Sequence, residues 1–187
     1  MSLQILGGKL KGVKLKAPAE NITRPTSVML RRKIFDANQN LKGLVFVDLF
    51  AGSGAVGVEA FSRGCEKVIF IEKNQKALSV LKNNVKENLH NKSNFEILKM
   101  DAFSWLSKFK LENNLPTVIF FDPPYELHEY YIRLLDFFKQ NNNLCDLTFW
   151  IESDCQKGLP SSFWTQEDLP VKKIYNQGQN YICVIEF

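Results

Sequence analysis

Residues 44–54 read LVFVDLFAGSG. The run up to Val47 is near-continuously apolar and rich in β-branched and aromatic types, as expected of a strand covered on both faces. It ends in Asp48, and Gly52-Ser53-Gly54 follows at once. Glycines there let the backbone turn sharply and approach a ligand closely at the start of the next helix. Residues 52–57, GSGAVG, also satisfy the pattern G-x-G-x-x-G, which occurs in dinucleotide sites and also in ligand-free turns.

Outward from this stretch the chain alternates. KVIFIE (67–72), FEILK (95–99), TVIFFD (117–122) and LTFWIES (147–153) read as further strands. The segments after the first two turns, to about Gly64 and over 74–89, read as helices, as does a stretch around 129–139. Ala77, Val80, Leu81, Val85 and Leu89 supply the apolar stripe of the second helix. The end of the chain, from Val171, reads as a hairpin turning near Gly178. Alternating units of this kind predict an α/β fold with a mostly parallel sheet and helices on both faces. Ahead of it, LQILGGKLKGVKLKA (3–17) reads as a glycine-punctuated hairpin with lysines on one exposed face. Pro25 is placed to start a helix running to about Asn38. Residues 1–40 are therefore expected to be a basic extension, and 41–187 the main domain.

Composition narrows the class. Of 187 residues, 45% are hydrophobic and 24% charged, which suits a globular protein and excludes disordered classes. No apolar run suggests a membrane span or a leader, so a cytoplasmic monomer is expected. Cys65, Cys145, Cys155 and Cys183 form no C-x-x-C pair, and His90 and His128 stand far apart. No metal site is expected. The net charge of +4 is uneven: residues 1–33 carry eight Lys/Arg and one acid, Glu20, a segment of +7 on a body of −3. Such an arm suits a polyanionic partner, and equally a solvated hairpin.

In open α/β sheets ligands sit at the carboxyl ends of the strands, near the switch point. Four strands end in polar or glycine signals: Asp48 to Gly54, Glu72, Asp101-Ala102 and Asp122-Pro123-Pro124-Tyr125. Glu72 can accept from ribose hydroxyls, and Asp101 from an adenine amino group. The Asp-Pro-Pro-Tyr string is the most specific. Neither proline has an N–H, so this turn is stiff and rich in acceptors. A carboxylate, a carbonyl and an aromatic face suit a planar ring bearing an amino group.

DLFAGSGAVGVEA (48–60), Glu72 and DPPY (122–125) together resemble class I S-adenosylmethionine-dependent methyltransferases acting on exocyclic amines. GGKLKGVKLKAP (7–18) and TRPT (23–26) narrow the resemblance to the bacterial RsmD family, which methylates the 2-amino group of a guanine in 16S ribosomal RNA. The resemblance spans essentially the whole chain and implies a Rossmann-like fold with a C-terminal antiparallel hairpin. It implies that Asp48, Phe50, Ala51, Gly52, Ser53 and Gly54 cradle the methionine part of S-adenosylmethionine. Glu72 would hold the ribose with Lys73 beside it, and Asp101 and Ala102 would border the adenine. Asp122, Pro123, Pro124 and Tyr125 would take the target base, and Lys9, Lys11, Lys14, Arg24 and Arg31 the RNA. After TRPT the chain departs from the family: Val28 stands for an acid, and Arg32-Lys33 for Glu-Ala. A DNA or RNA adenine amino-methyltransferase would share the Asp-Pro-Pro-Tyr chemistry, though for a DNA enzyme this length leaves little room for target recognition. A protein-glutamine methyltransferase would more typically carry Asn first in that motif. An NAD-dependent oxidoreductase would explain neither that motif nor the arm, and a non-catalytic RNA-binding relic would not need Asp122 or the glycine turn.

Overall fold

The apolar runs form a seven-stranded sheet in a computed structural model that describes residues 2–18, 28–89, 92–109, 115–124, 126–141 and 144–187. A short hairpin comes first, β1 (Ser2–Gln4) and β2 (Lys14–Lys16), antiparallel, with a 3-10 turn at Gly8–Leu10. Helix α1 (Val28–Ala37) follows; the expected start at Pro25 lies outside the described residues. Then come β3 (Val45–Asp48), α2 (Ala55–Ser62), β4 (Lys67–Ile71), α3 (Gln75–Asn88), β5 (Phe95–Leu98), α4 (Ala102–Leu106) and β6 (Thr117–Phe121). Helix α5 (His128–Gln140), β7 (Leu147–Asp154), α6 (Ser162–Thr165), β8 (Val171–Gln177) and β9 (Asn180–Glu186) complete the chain.

The sheet order is β5-β4-β3-β6-β7-β9-β8. The first five strands are parallel, and β9 pairs antiparallel with both β7 and β8. The order reverses direction at β3, whose neighbours are β4 on one side and β6 on the other. Alternation along β3 assigns the two faces. Phe46 packs with Val68, Phe120 and Trp150 under α1, α2 and α3; Val45 and Val47 pack with Ile69, Phe121 and Phe149 under α4, α5 and α6. The two-faced layering expected from the sequence is therefore present. Helices α4 and α6 are additions to that expectation, being too short to give a periodic signal. In α3 the buried face includes Leu78, while Val80 is only half-buried.

The hairpin shares the core on the first face: Leu3, Ile5 and Leu15 join the cluster of Phe46 and Val58. Its polar links are with α2. Leu6 N donates to Glu59 (2.7 Å), Leu10 N donates to Ser62 Oγ (2.8 Å), and Ser62 donates to Gly7 O. All eight residues of α2 are buried in consequence. Glu59 also accepts from Arg63 Nε at 2.8 Å, so its buried charge is paired. All four cysteines are free, and burial pushes the thiols of Cys65 and Cys183 up to about 12. No helix among the described residues is long and apolar enough to cross a membrane.

Helix α2 packs so closely on β4 that a side chain has no room at Gly57. A Cβ there would lie 2.3 Å from the Phe70 ring and 2.9 Å from Val68. Gly57→Val should therefore overpack this face and cost about 1–3 kcal/mol in urea unfolding. An unchanged midpoint would show that α2 can withdraw from the sheet freely.

Candidate functional site

The end of β3 runs directly into the switch point. Leu49 N donates to Phe120 O, on the β6 side, and Ala51 N donates to Ile71 O, on the β4 side. The chain thus crosses the gap between diverging neighbours before it turns at Gly52 (φ +52°) and Gly54 (φ +82°). Both angles lie in the left-handed region that glycine tolerates. Glu72 fixes this turn. Its Oε2 accepts from Gly52 N at 2.8 Å, and its Oε1 accepts from Asn74 N at 2.7 Å. Asn74 then caps α3 by accepting from Lys76 N and Ala77 N.

Above the turn lies a cavity of about 730 Å³, within the usual range of small-molecule sites. Asp48, Phe50, Ala51, Gly52, Ser53, Glu72, Lys73 and Ala102 line it, as do Asp122, Pro123 and Pro124. Gly54 and Asp101 are not on its walls. Gly54 starts α2 against Leu81, and Asp101 Oδ1 accepts from Phe103 N and Ser104 N to cap α4. Tyr125 and Arg24 lie outside the described residues. The arm lysines Lys9, Lys11 and Lys14 are exposed, with Lys9 Nζ 3.6 Å above the Phe61 ring. Arg31 is not with them. It is 1% exposed and lines the cavity, because it falls on the face of α1 that carries Leu30, Ile34 and Phe35.

The sheet order divides the cavity. Residues after β4 and β5, such as Glu72, Asn74, Met100 and Ala102, stand on one side of the β3 turn; Asp122, Pro123, Pro124 and Lys157, after β6 and β7, stand on the other. Tyr130 completes the first side. Its hydroxyl accepts from Lys73 Nζ (2.8 Å), and its ring lies against Phe50 and Phe103. This bond, with Asp101 and Glu72 nearby, raises the Lys73 pKa. Tyr130 belongs to no motif, and the sequence marks it only as a helix residue. On the second side Pro124 O accepts from Leu127 N at 3.0 Å, so the turn closes on its own backbone. Asp48 sits beneath both sides, with Oδ2 accepting from Gly57 N at 3.1 Å. Burial pushes its carboxyl up to about 7, and the nearby carboxylates of Asp122 and Glu72 add to the rise.

The family model described as "Conserved hypothetical protein 95" matches residues 3–184. The chain is similar to the ribosomal RNA small subunit methyltransferase D of Buchnera aphidicola subsp. Acyrthosiphon pisum, with 33% identity over 193 residues, 97% of this chain and 93% of the relative. Its fold is similar to that of yhhF, a proposed methyltransferase of Escherichia coli, with a TM-score of 0.76 at 23% identity over 100% of this chain and 99% of that one. A second proposed methyltransferase, solved in complex with SAH, aligns with a TM-score of 0.65 at 12% identity over 85% of this chain and 50% of that one.

Asp48 makes stability depend on pH. The folded chain keeps this proton up to about pH 7, whereas the unfolded chain releases it near 3.8. The folded state therefore binds more protons across that window, and this group's contribution falls as pH rises through it. Asp48→Asn keeps an acceptor for Gly57 N but cannot ionise. Its stability relative to the unsubstituted chain should grow between pH 4 and 7 in urea titrations without ligand. A difference that stayed flat would mean Asp48 is ionised throughout.

Proposed function

From the premise that the chain belongs to the conserved hypothetical protein 95 family, shared with ribosomal RNA small subunit methyltransferase D, we propose that it transfers a methyl group from S-adenosylmethionine to small-subunit ribosomal RNA. The accepting atom in this reading is the 2-amino nitrogen of a guanine. The protein acts as a cytoplasmic monomer on the RNA or on an assembly particle. One observation carries the reading: a single cavity joins the glycine turn to Asp122-Pro123-Pro124 across the switch point.

The residues present fit the cofactor. Gly52 brings backbone close to the cavity, Glu72 and Asp48 put carboxyl oxygens on its floor, where a bound cation would draw Asp48 into its ionised form, and Phe50 and Tyr130 add apolar faces. When bound, S-adenosylmethionine supplies a methyl group already activated on a sulfonium, so no metal or enzyme-bound intermediate is required. The chain's task is the nucleophile, because the amine lone pair is delocalised into the base. Asp122 accepts one amine hydrogen and Pro123 O accepts the other, since Pro124 O already serves Leu127 N. Holding both hydrogens out of line would free the lone pair for the methyl carbon; the C–N bond would form as the methyl–sulfur bond breaks, one amine proton would pass to Asp122 or water, and alignment of the two reactants supplies much of the rate. The base must leave its stack to reach these groups, and Tyr125 is assigned to its face on the sequence motif. Residues 1–40, with Lys9, Lys11 and Lys14 exposed, are assigned to the RNA backbone.

Labelled methyl transfer to small-subunit RNA, followed by nucleoside analysis, should yield N2-methylguanosine. N6-methyladenosine would overturn the choice of atom, and absence of label in RNA would overturn the activity. Asp122→Ala should lower the single-turnover rate about 10²- to 10³-fold with both ligands saturating; a rate equal to that of the unsubstituted protein would leave the motif a structural turn.

Replacing Lys9, Lys11 and Lys14 by Ala should weaken RNA binding. The slope of log affinity against log salt should flatten by about 0.7–0.9 for each phosphate the arm no longer neutralises, with cofactor affinity unchanged. An unaltered slope would remove the arm from the interface.

A further inference from the structure

The Asp-Pro-Pro-Tyr turn recognises an amine, and both guanine and adenine carry one. On the assigned chemistry Asp122 and Pro123 O do not distinguish the two bases, so selection needs a group that reads another position on the ring. Among the described residues, the cavity wall on the Asp122 side contains one buried cation, Arg31. Lys157, on the same side, is exposed, and Lys73 stands across the β3 turn, bonded to Tyr130.

Arg31 is held in a specific way. One terminal nitrogen donates to Gln4 O at 2.6 Å, which ties α1 to the hairpin. Burial lowers the guanidinium's pKa, Glu59 and Glu152 facing it from α2 and β7 favour its charged form, and Arg63 opposes it. The Nε–H is buried and has no hydrogen-bond partner among the described residues. An unsatisfied buried donor of this kind is costly unless a ligand satisfies it.

We propose that Arg31 is a specificity-determining residue that donates to the O6 carbonyl of the target guanine while Asp122 holds the 2-amino group. The proposal rests on the guanine reading above. Guanine places O6 and the 2-amino group at opposite ends of one edge, so a site that reads it needs acceptors for the amine and a separate donor for O6. Arginine suits this task because the guanidinium has donors only, and its commonest specific contact to a base is with guanine O6 and N7. Adenine held by its amine at Asp122 presents only C2–H where guanine presents O6, so the arginine donor would be left without an acceptor.

The test uses substrate RNA with guanine or 2-aminopurine at the target position. 2-Aminopurine keeps the accepting amine and lacks O6. The unsubstituted protein should methylate guanine faster by about 10- to 100-fold in single turnover. Arg31→Lys keeps a charge opposite Glu59 and Glu152 but removes the Nε–H, and should shrink that ratio about tenfold or more. Arg31→Met should bring it near one. A purely structural role would slow both substrates alike and leave the ratio intact, which overturns the proposal. Equal rates on the two bases with the unsubstituted protein overturn it without any variant. Nucleoside analysis separates the two failures. N2-methylguanosine with an unaltered ratio removes only the role of Arg31, whereas a product methylated elsewhere removes the guanine reading as well.

Discussion

One carboxylate holds the cavity end of the sheet in shape. Glu72 accepts from Gly52 N with one oxygen and from Asn74 N with the other, so it joins the turn after β3 to the start of α3. The backbone pairing of β3 with its neighbours ends where Ala51 N donates to Ile71 O, and the residues beyond it have left the ladder. Bridged in this way, the glycine turn, the α3 cap and the acidic floor of the cavity move as one unit. Glu72 is buried, and hydrogen bonds from backbone N–H groups to a carboxylate are among the stronger polar contacts available. Its second lone pairs remain able to accept from a ligand hydroxyl.

The basic arm is attached to that unit as firmly as any helix. Asn84 on α3 accepts from Lys16 N at 2.9 Å and donates from Nδ2 to Lys16 O at 2.9 Å and to Ser53 O at 2.8 Å. A single buried amide thus links the second strand of the hairpin to the turn at the floor of the cavity. Glu59 and Ser62 secure the other strand end. The exposed lysines therefore stand at fixed positions relative to Asp122, which a flexible tail could not provide.

The architecture is readable in the sequence because buried parallel strands produce long apolar runs, and each run here ends in a distinctive polar residue. The wall of the cavity from Asp48 to Ser53 and at Asp122 to Pro124 follows from that rule. Arg31 does not follow, since charge counting assigns every basic residue to the surface, and only the phase of α1 reveals that this one faces inward. Asp101 looks like a ligand group because it follows a strand. The signal for its actual bonds is also present, as Asp directly before a short apolar helix is a common N-cap. Glu59 and Asn84 look like ordinary helix-surface residues, and their burial depends on a hairpin that arrives from far away in sequence.

The position of β9 has a consequence for the order of assembly. It lies between β7 and β8, antiparallel to both, and among the described strands β8 pairs with β9 alone. Strand β8 therefore emerges from the ribosome before its pairing partner. Until residues 180–186 are available, β7 is an open edge, and Phe149, Trp150 and Ile151 lack Ile185, Val184 and Cys183 opposite them. An exposed apolar edge is a template for pairing with another chain. The parallel half can organise early, but the molecule stays vulnerable to association until its last strand slides into place.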